Sequence, residues 1–274
     1  MGIRTFLKNA GLTLCLGLGY LFKPQGIPVL VYHSIDDSNS YVSIYSDMFV
    51  MQMSYLKGEG FQLISLGQLM ATVRSKQHIP EKTIVLTFDD GLQNFYTAAW
   101  PVLARYGFSA TLFVPTDYIG KQSWWYVDYG LKPVSMLDWP QLRELSANNV
   151  DIQSHGCSHC KLTEIAPPDF QRELEKSKHV LEDGLGRPVD FFCYPFGEVT
   201  QNIAAAAGAA GYRGAACMDQ GLYNPGDDPY LIKRESLDYI SIPDKRTALL
   251  SIATCAQGTF AWYVRTKRRL KGYG

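Results

Sequence analysis

Residues 83–91 read TIVLTFDDG, and their reading decides the fold. The first six are β-branched or apolar with little polar alternation, as in a strand covered on both faces. Two carboxylates and a glycine, Asp89, Asp90 and Gly91, end the run where such a strand must leave the core. Similar runs recur at 27–35 (IPVLVYHSI), 109–115 (SATLFVP), 150–156 (VDIQSHG), 189–197 (VDFFCYPFG), 212–218 (YRGAACM) and 230–239 (YLIKRESLDY). Segments with helical spacing separate them: 45–58, 66–75, 94–106, 138–149, 167–185, 201–210 and 243–270. Ser135 or Asp138 can cap one of these helices, and Gly107 and Gly211 can stop two others. Strands alternating with helices imply a parallel sheet, and units of this number in one domain predict a closed or nearly closed β/α barrel in preference to an open doubly wound sheet.

A barrel carries its reacting groups at the C-terminal ends of its strands. The runs here end in Tyr32-His33-Ser34, Asp89-Asp90-Gly91, Ser154-His155, Tyr194-Pro195-Phe196-Gly197 and Arg234-Glu235. His155 and His159 stand in a glycine-bearing loop, so neutral imidazoles can converge on one ion there. A single carboxylate completes a two-histidine, one-carboxylate face with open positions, and Asp90 is the natural third ligand. Asp89 then points differently from the same strand end and can address a water on that ion.

The bulk composition narrows the partners. In 274 residues, Lys+Arg and Asp+Glu both total 26, so no overall field attracts nucleic acid. Residues 10–22 (AGLTLCLGLGYLF) are uncharged but fall short of the roughly twenty residues of a spanning helix, so 1–23 read as a signal-like or membrane-anchoring segment. The 259–274 tail sets Trp262 and Tyr263 beside Arg265, Lys267, Arg268, Arg269 and Lys271, which suits an anionic lipid surface. Residues 24–258 form the expected folded domain, either membrane-associated or exported to the cell envelope, while the basic tail pulls toward the cytoplasmic face. Of the six cysteines, Cys157 and Cys160 form a C-x-x-C pair around a histidine, which makes thiol redox chemistry a rival reading. The segment after them, KLTEIAPP, reads as loop, not as the helix that would lower a thiol pKa.

TFDDG (87–91), SHGCSH (154–159) and YPFG (194–197), with an early YHSI (32–35) and a helix led by DW (138–139), resemble the polysaccharide deacetylases of the NodB-homology type, carbohydrate esterase family 4. The resemblance runs from about Ile27 to Tyr239. It implies a distorted, incomplete (β/α)7-8 barrel and the metal-dependent removal of N- or O-acetyl groups from a glycan. Asp89 matches the general base, and Asp90, His155 and His159 the ligands of a divalent ion, with Zn2+ the default and Co2+, Ni2+ or Fe2+ as alternatives. Tyr194, Pro195 and Phe196 match the third motif, whose backbone N–H after the proline faces the oxyanion. Two departures stand out: Cys193 takes the place of an arginine, and no histidine follows His179. The chain is similar in this to the poly-N-acetylglucosamine deacetylase branch, which implies His33 as acid and Arg234 as the substitute arginine. The expected substrate is an N-acetylated glycan. Rival readings are a non-catalytic glycan-binding protein, the thiol pair Cys157/Cys160, and a non-haem iron oxygenase, which lacks its jelly-roll pattern here.

Overall fold

β5 (Thr83–Phe88), buried along its whole length, is the strand on which the sheet is assembled. The computed structural model describes residues 25–38, 40–236, 245–256 and 258, with 10, 13, 14 and 17. On one side β5 pairs with β1 (Val29–Tyr32), from Val29 opposite Val85 to Tyr32 opposite Phe88. Its other edge is shared: Thr83 to Val85 meet β4 (Gln62–Ile64), and Thr87 and Phe88 meet β6 (Ala110–Val114). The sheet continues through β7 (Val150–Ser154), β8 (Phe191–Cys193) and β9 (Gly214–Ala216), and β10 (Glu235–Ser236) flanks β1. Every ladder in it is parallel.

The curl follows from the last segment of this path. Ile232 bridges Ala216 at the edge of β9, and β10 then pairs with β1 through Leu30 and Val31. Residues 232–236 thus join the two ends of the sheet into the incomplete barrel that the sequence predicts. Side chains alternate across each strand. Val85, Phe113, Phe191, Cys193, Ala216 and Ile232 form an inner cluster with Leu66, Leu69 and Met70 of α2 (Leu66–Arg74). Leu30, Leu86, Leu112, Ile152 and Phe192 belong to the larger cluster that the surrounding helices cover.

Those helices are α1 (Ser46–Gly58), α3 (Trp100–Tyr106), α4 (Trp139–Ala147), α5 (Pro167–Leu185), α6 (Gln201–Ala209) and α7 (Lys245–Ala256). Reciprocal capping boxes start α2 (Ser65 with Gln68) and α4 (Asp138 with Gln141). A left-handed Gly186 stops α5. Segment 94–106 is not uniform: Pro101 opens α3, and the turn before it, Phe95–Ala99, is a π-helix. Proline has no amide to continue the ladder at that point.

The expected strands are longer than the observed ones, and two of them stop at or just before a residue of the sequence motifs. Run 27–35 breaks at His33, and β2 (Ser34–Ile35) pairs instead with β3 (Ser43–Ile44) in a separate ribbon. Run 189–197 stops at Cys193. β4 is too short for its pattern to register in the sequence. The anchor-like segment 1–23 lies outside the described residues except for 10, 13, 14 and 17, and the basic tail 259–274 lies wholly outside them. No helix among the described residues is long and apolar enough to cross a membrane.

The approach of α4 to α5 rests on a missing side chain. A Cβ on Gly184 would stand 2.1 Å from the Trp139 ring. Within a helix, Gly184→Ala would ordinarily stabilise by about 1 kcal/mol. Here overpacking reverses the sign, and the variant is expected to lose about 1–3 kcal/mol in urea denaturation.

Candidate active site

The period of two along the strands carries three chemically unlike residues to the barrel axis. Val85, Thr87 and Asp89 share one face; Phe191 and Cys193, and Ile232 and Arg234, do the same on their segments. Arg234 is fully buried, and Asp89 is 3% exposed. The guanidinium donates in a fork to the carboxylate, Nη1 to Oδ1 at 2.7 Å and Nη2 to Oδ2 at 2.8 Å. Its Nε donates to the Cys217 carbonyl at 3.0 Å, and Nη2 lies 3.1 Å from Cys193 Sγ. That sulfur is 3.4 Å from Asp89 Oδ2. Arg234, which the resemblance offers as the substitute for the arginine missing at Cys193, thus reaches Asp89 from the segment just before β10. Burial opposes the charge on Asp89, but Arg234 overcomes it and brings the carboxyl down to about 2.

Asp90 faces the other way and meets the two histidines. Its Oδ1 lies 3.5 Å from His155 Nε2 and 3.2 Å from His159 Nε2. One donor atom from each of the three falls within 4.8 Å of the others. Ligand bonds of about 2.0–2.1 Å around a tetrahedral ion place donors about 3.3–3.4 Å apart, so this set fits a divalent cation. The tautomer of His155 is fixed from behind. Its Nδ1 is 2.8 Å from the Cys193 carbonyl, which only accepts, so Nδ1 carries a proton and Nε2 is the atom turned to Asp90, able to give that carboxylate a proton or, deprotonated, to offer its lone pair to a cation. Burial lowers the pKa of His159 and favours the neutral, ligating imidazole. Burial also opposes charge on Asp90, yet hydrogen bonds from both histidines hold it well below the usual carboxylate range.

The backbone is strained at these turns. Asp90 (φ 71), His159 (φ 56) and Phe196 (φ 61) adopt the left-handed conformation without being glycine. Such strain persists only where the surroundings over-determine it. Around His159 they do: its ring stacks on Trp125 with centroids 4.6 Å apart and meets Phe196 edge-on at 4.9 Å. Tyr126 donates its hydroxyl to Asp90 Oδ2 at 3.1 Å. The ligand loop is held from α5 by Glu173. Its Oε2 accepts the Cys157 and Ser158 N–H groups at 2.7 and 3.0 Å, and its Oε1 accepts the Ser158 hydroxyl at 2.9 Å. Trp125, Tyr126 and Glu173 carry no motif of their own, and only the folded chain shows their contacts with the site.

A cavity of about 240 Å³ opens over the cluster, lined by His33, Asp89, Asp90, His155, His159, Tyr194 and Phe196 among others. His33 Nε2 lies 3.8 Å from Asp89 Oδ2, so two groups able to exchange protons share one wall. Tyr194 is fully buried, and its hydroxyl donates to the Tyr230 carbonyl at 3.1 Å. Pro195 is buried, and Gly197 after Phe196 must be glycine: at φ 75, a Cβ would lie 2.3 Å from Met218. The cysteine pair plays a different part. Cys157 and Cys160 are both free thiols, and burial pushes Cys157 up to about 11 and raises Cys160 as well. Redox chemistry needs the opposite shift, so that reading is not favoured.

Comparison with known proteins agrees with this geometry. The family model for polysaccharide deacetylase matches residues 76–215, which include Asp89, Asp90, both loop histidines and Phe196, while His33 and Arg234 lie outside the match. The chain belongs to the polysaccharide deacetylase family. It is 29% identical over 208 residues to YxkH of Bacillus subtilis (strain 168), a protein named for the same family, covering 73% of this chain and 70% of that one. It is also 28% identical over 138 residues to the poly-beta-1,6-N-acetyl-D-glucosamine N-deacetylase of Escherichia coli (strain K12), a match that spans 48% of this chain but only 20% of that protein. Among solved structures, IcaB from Ammonifex degensii superimposes with a TM-score of 0.70 at 23% identity, over 85% of this chain and 98% of that one, which shows a shared fold. The family and the buried Asp-His-His cluster together make this chain a metal-dependent deacetylase of polysaccharide and disfavour a binding-only scaffold.

Two variants test the buried architecture. Arg234→Met leaves an uncompensated buried charge and is expected to cost about 3–5 kcal/mol in chemical denaturation, whereas Asp89→Asn combined with Arg234→Met recovers most of that loss without recovering activity. Glu173→Ala is expected to weaken Co2+ or Zn2+ binding about 10–100-fold in chelator competition.

Proposed function

We propose that the chain removes N-acetyl groups from an N-acetylated glycan, with Asp90, His155 and His159 holding a zinc ion. The single observation that carries this reading is the three-donor cluster beside an ionised Asp89 on one cavity wall. A bound divalent ion supplies a water whose pKa falls from 15.7 toward about 7 and polarises the acetyl carbonyl. Asp89 accepts the proton of the attacking water, and Arg234 keeps both carboxylate oxygens in place. The Phe196 N–H, in the left-handed turn after Pro195, faces the developing oxyanion, and Tyr194 helps to line the acetyl pocket. His33 donates to the departing amine, its imidazole on the same wall as the base.

The named activity of the Escherichia coli relative, an N-deacetylase, supports nitrogen over oxygen as the sugar atom that carries the acetyl group and leaves. The ligand set supports zinc, which takes histidine nitrogen and carboxylate oxygen and leaves a position open in catalytic sites. The same proposal keeps residues 24–258 as the catalytic domain. It places the protein at the cell envelope or a membrane surface, on the strength of the uncharged run at 10–22 and the basic aromatic tail.

Acetate release from N-acetylglucosamine oligomers is the direct assay. A chelator should abolish it and Zn2+ restore it, and Asp89→Asn should lower kcat about 10²–10⁴-fold. Release indifferent to both treatments would sink the reading. His33→Ala should cost less with substrates whose leaving group needs no proton than with an amide, and an equal loss on both would remove His33 from the acid role.

A further inference from the structure

The guanidinium that grips Asp89 has more neighbours than the fork needs. Arginine carries five N–H groups and accepts nothing. In Arg234, Nε gives its hydrogen to the Cys217 carbonyl, Nη1 reaches Asp89 Oδ1 and, at 3.3 Å, the Thr87 hydroxyl, and Nη2 reaches Asp89 Oδ2. The last hydrogen, on Nη2, is left to two sulfurs, Cys193 Sγ at 3.1 Å and Met218 Sδ at 3.2 Å. Thioether sulfur is a weak acceptor, so it does not compete with the carboxylate for Nη2.

The two sulfurs differ in access. Cys193 is fully buried, and burial raises its pKa and keeps it as the unreactive thiol. Met218, just after β9, is half-buried and lines both the cavity over the cluster and a neighbouring cleft formed by Thr163, Glu198 and Asp219 among others. Met48, Met53, Met70 and Met136 are buried. A small oxidant in the cavity therefore meets the Met218 thioether before any of these.

We propose that Met218 is a modification site for hydrogen peroxide, and that its sulfoxide loosens the grip of Arg234 on Asp89. A sulfur lone pair attacks one peroxide oxygen, an S–O bond forms as the O–O bond breaks, the sulfur is oxidised by two electrons, and the other peroxide oxygen leaves as water. The product is polar where the thioether was apolar. Either epimer disturbs the guanidinium. An oxygen on the Nη2 side is a strong acceptor beside a cation and competes with Asp89 Oδ2. An oxygen on the other side turns the positive end of the S–O dipole toward the guanidinium. The side chain has little room to swing clear, because its Cβ and Cγ lie against Gly197, where an added Cβ would stand 2.3 Å from each. The modification itself is independent of the reaction, and its effect on turnover rests on the reading of Asp89 as the base.

The test uses the full chain with Zn2+ bound and dilute hydrogen peroxide. Mass spectrometry of proteolytic fragments should find Met218 oxidised ahead of the buried methionines. Acetate release from N-acetylglucosamine oligomers should fall about tenfold in kcat, the worth of one hydrogen bond to a charged group, with KM little changed. The two methionine sulfoxide reductases, one for each epimer, should restore it. Met218→Leu, compared with its own rate before treatment, should resist peroxide, and Met218→Gln, which carries a permanent amide oxygen, should be slow without it. A Met218 that stays unoxidised overturns the proposal, and so does an equal fractional loss in Met218→Leu. The guanidinium signals of Arg234 in nitrogen NMR keep the outcome separate from the deacetylase reading: they should shift on oxidation and return on reduction. Absence of acetate release from the untreated chain defeats that reading alone, whereas Arg234 signals unmoved by oxidation of Met218 defeat the proposal.

Discussion

The buried fork between Arg234 and Asp89 ties the last strand segment to the central one. Two charges taken out of water in this way are tolerated only because both carboxylate oxygens and three guanidinium nitrogens are engaged. Arg234 belongs to the segment that joins β9 to β1, and Asp89 directly follows β5. Closing the barrel and placing the carboxylate beside the cavity are thus one event. A chain that failed to close would leave a charge buried at the axis without its partner.

The second constraint is backbone strain concentrated at the three turns that face the cavity. Asp90 and His159 bring donor atoms close together, and the Phe196 ring meets that of His159 edge-on. Contacts from elsewhere hold the first two: the Tyr126 hydroxyl on Asp90, the Trp125 ring on His159, and the Glu173 carboxylate beneath the His159 loop. Strain of this kind helps hold the donor groups close together. The sulfurs near the motif are small buried groups, with Cys193 in contact with the Arg234 guanidinium and Cys157 packed against α5.

Much of the fold was legible because apolar runs and helical spacing report burial directly. Helix 167–185 stands where its spacing puts it, and the strand cores fall inside the predicted runs. What escaped was short or paired at a distance. β4 is three residues long, and the ribbon of β2 and β3 depends on a break at His33 that no periodicity announces. The π-helical turn before Pro101 likewise follows from a local conflict that spacing does not register.

The linear chain determined which residue types end each strand: two adjacent carboxylates after β5, histidines four apart after β7, a proline-aromatic-glycine turn after β8. Such features depend only on neighbours along the backbone and on alternation across a strand. The resemblance pointed to Arg234, but tertiary structure alone decided the fork by which it grips Asp89, 145 positions away, and the contacts of Glu173, Trp125 and Tyr126 with the Asp-His-His cluster and its loop. Those contacts arise from the register and curl of the whole sheet, a property of all its strands at once that no single segment encodes.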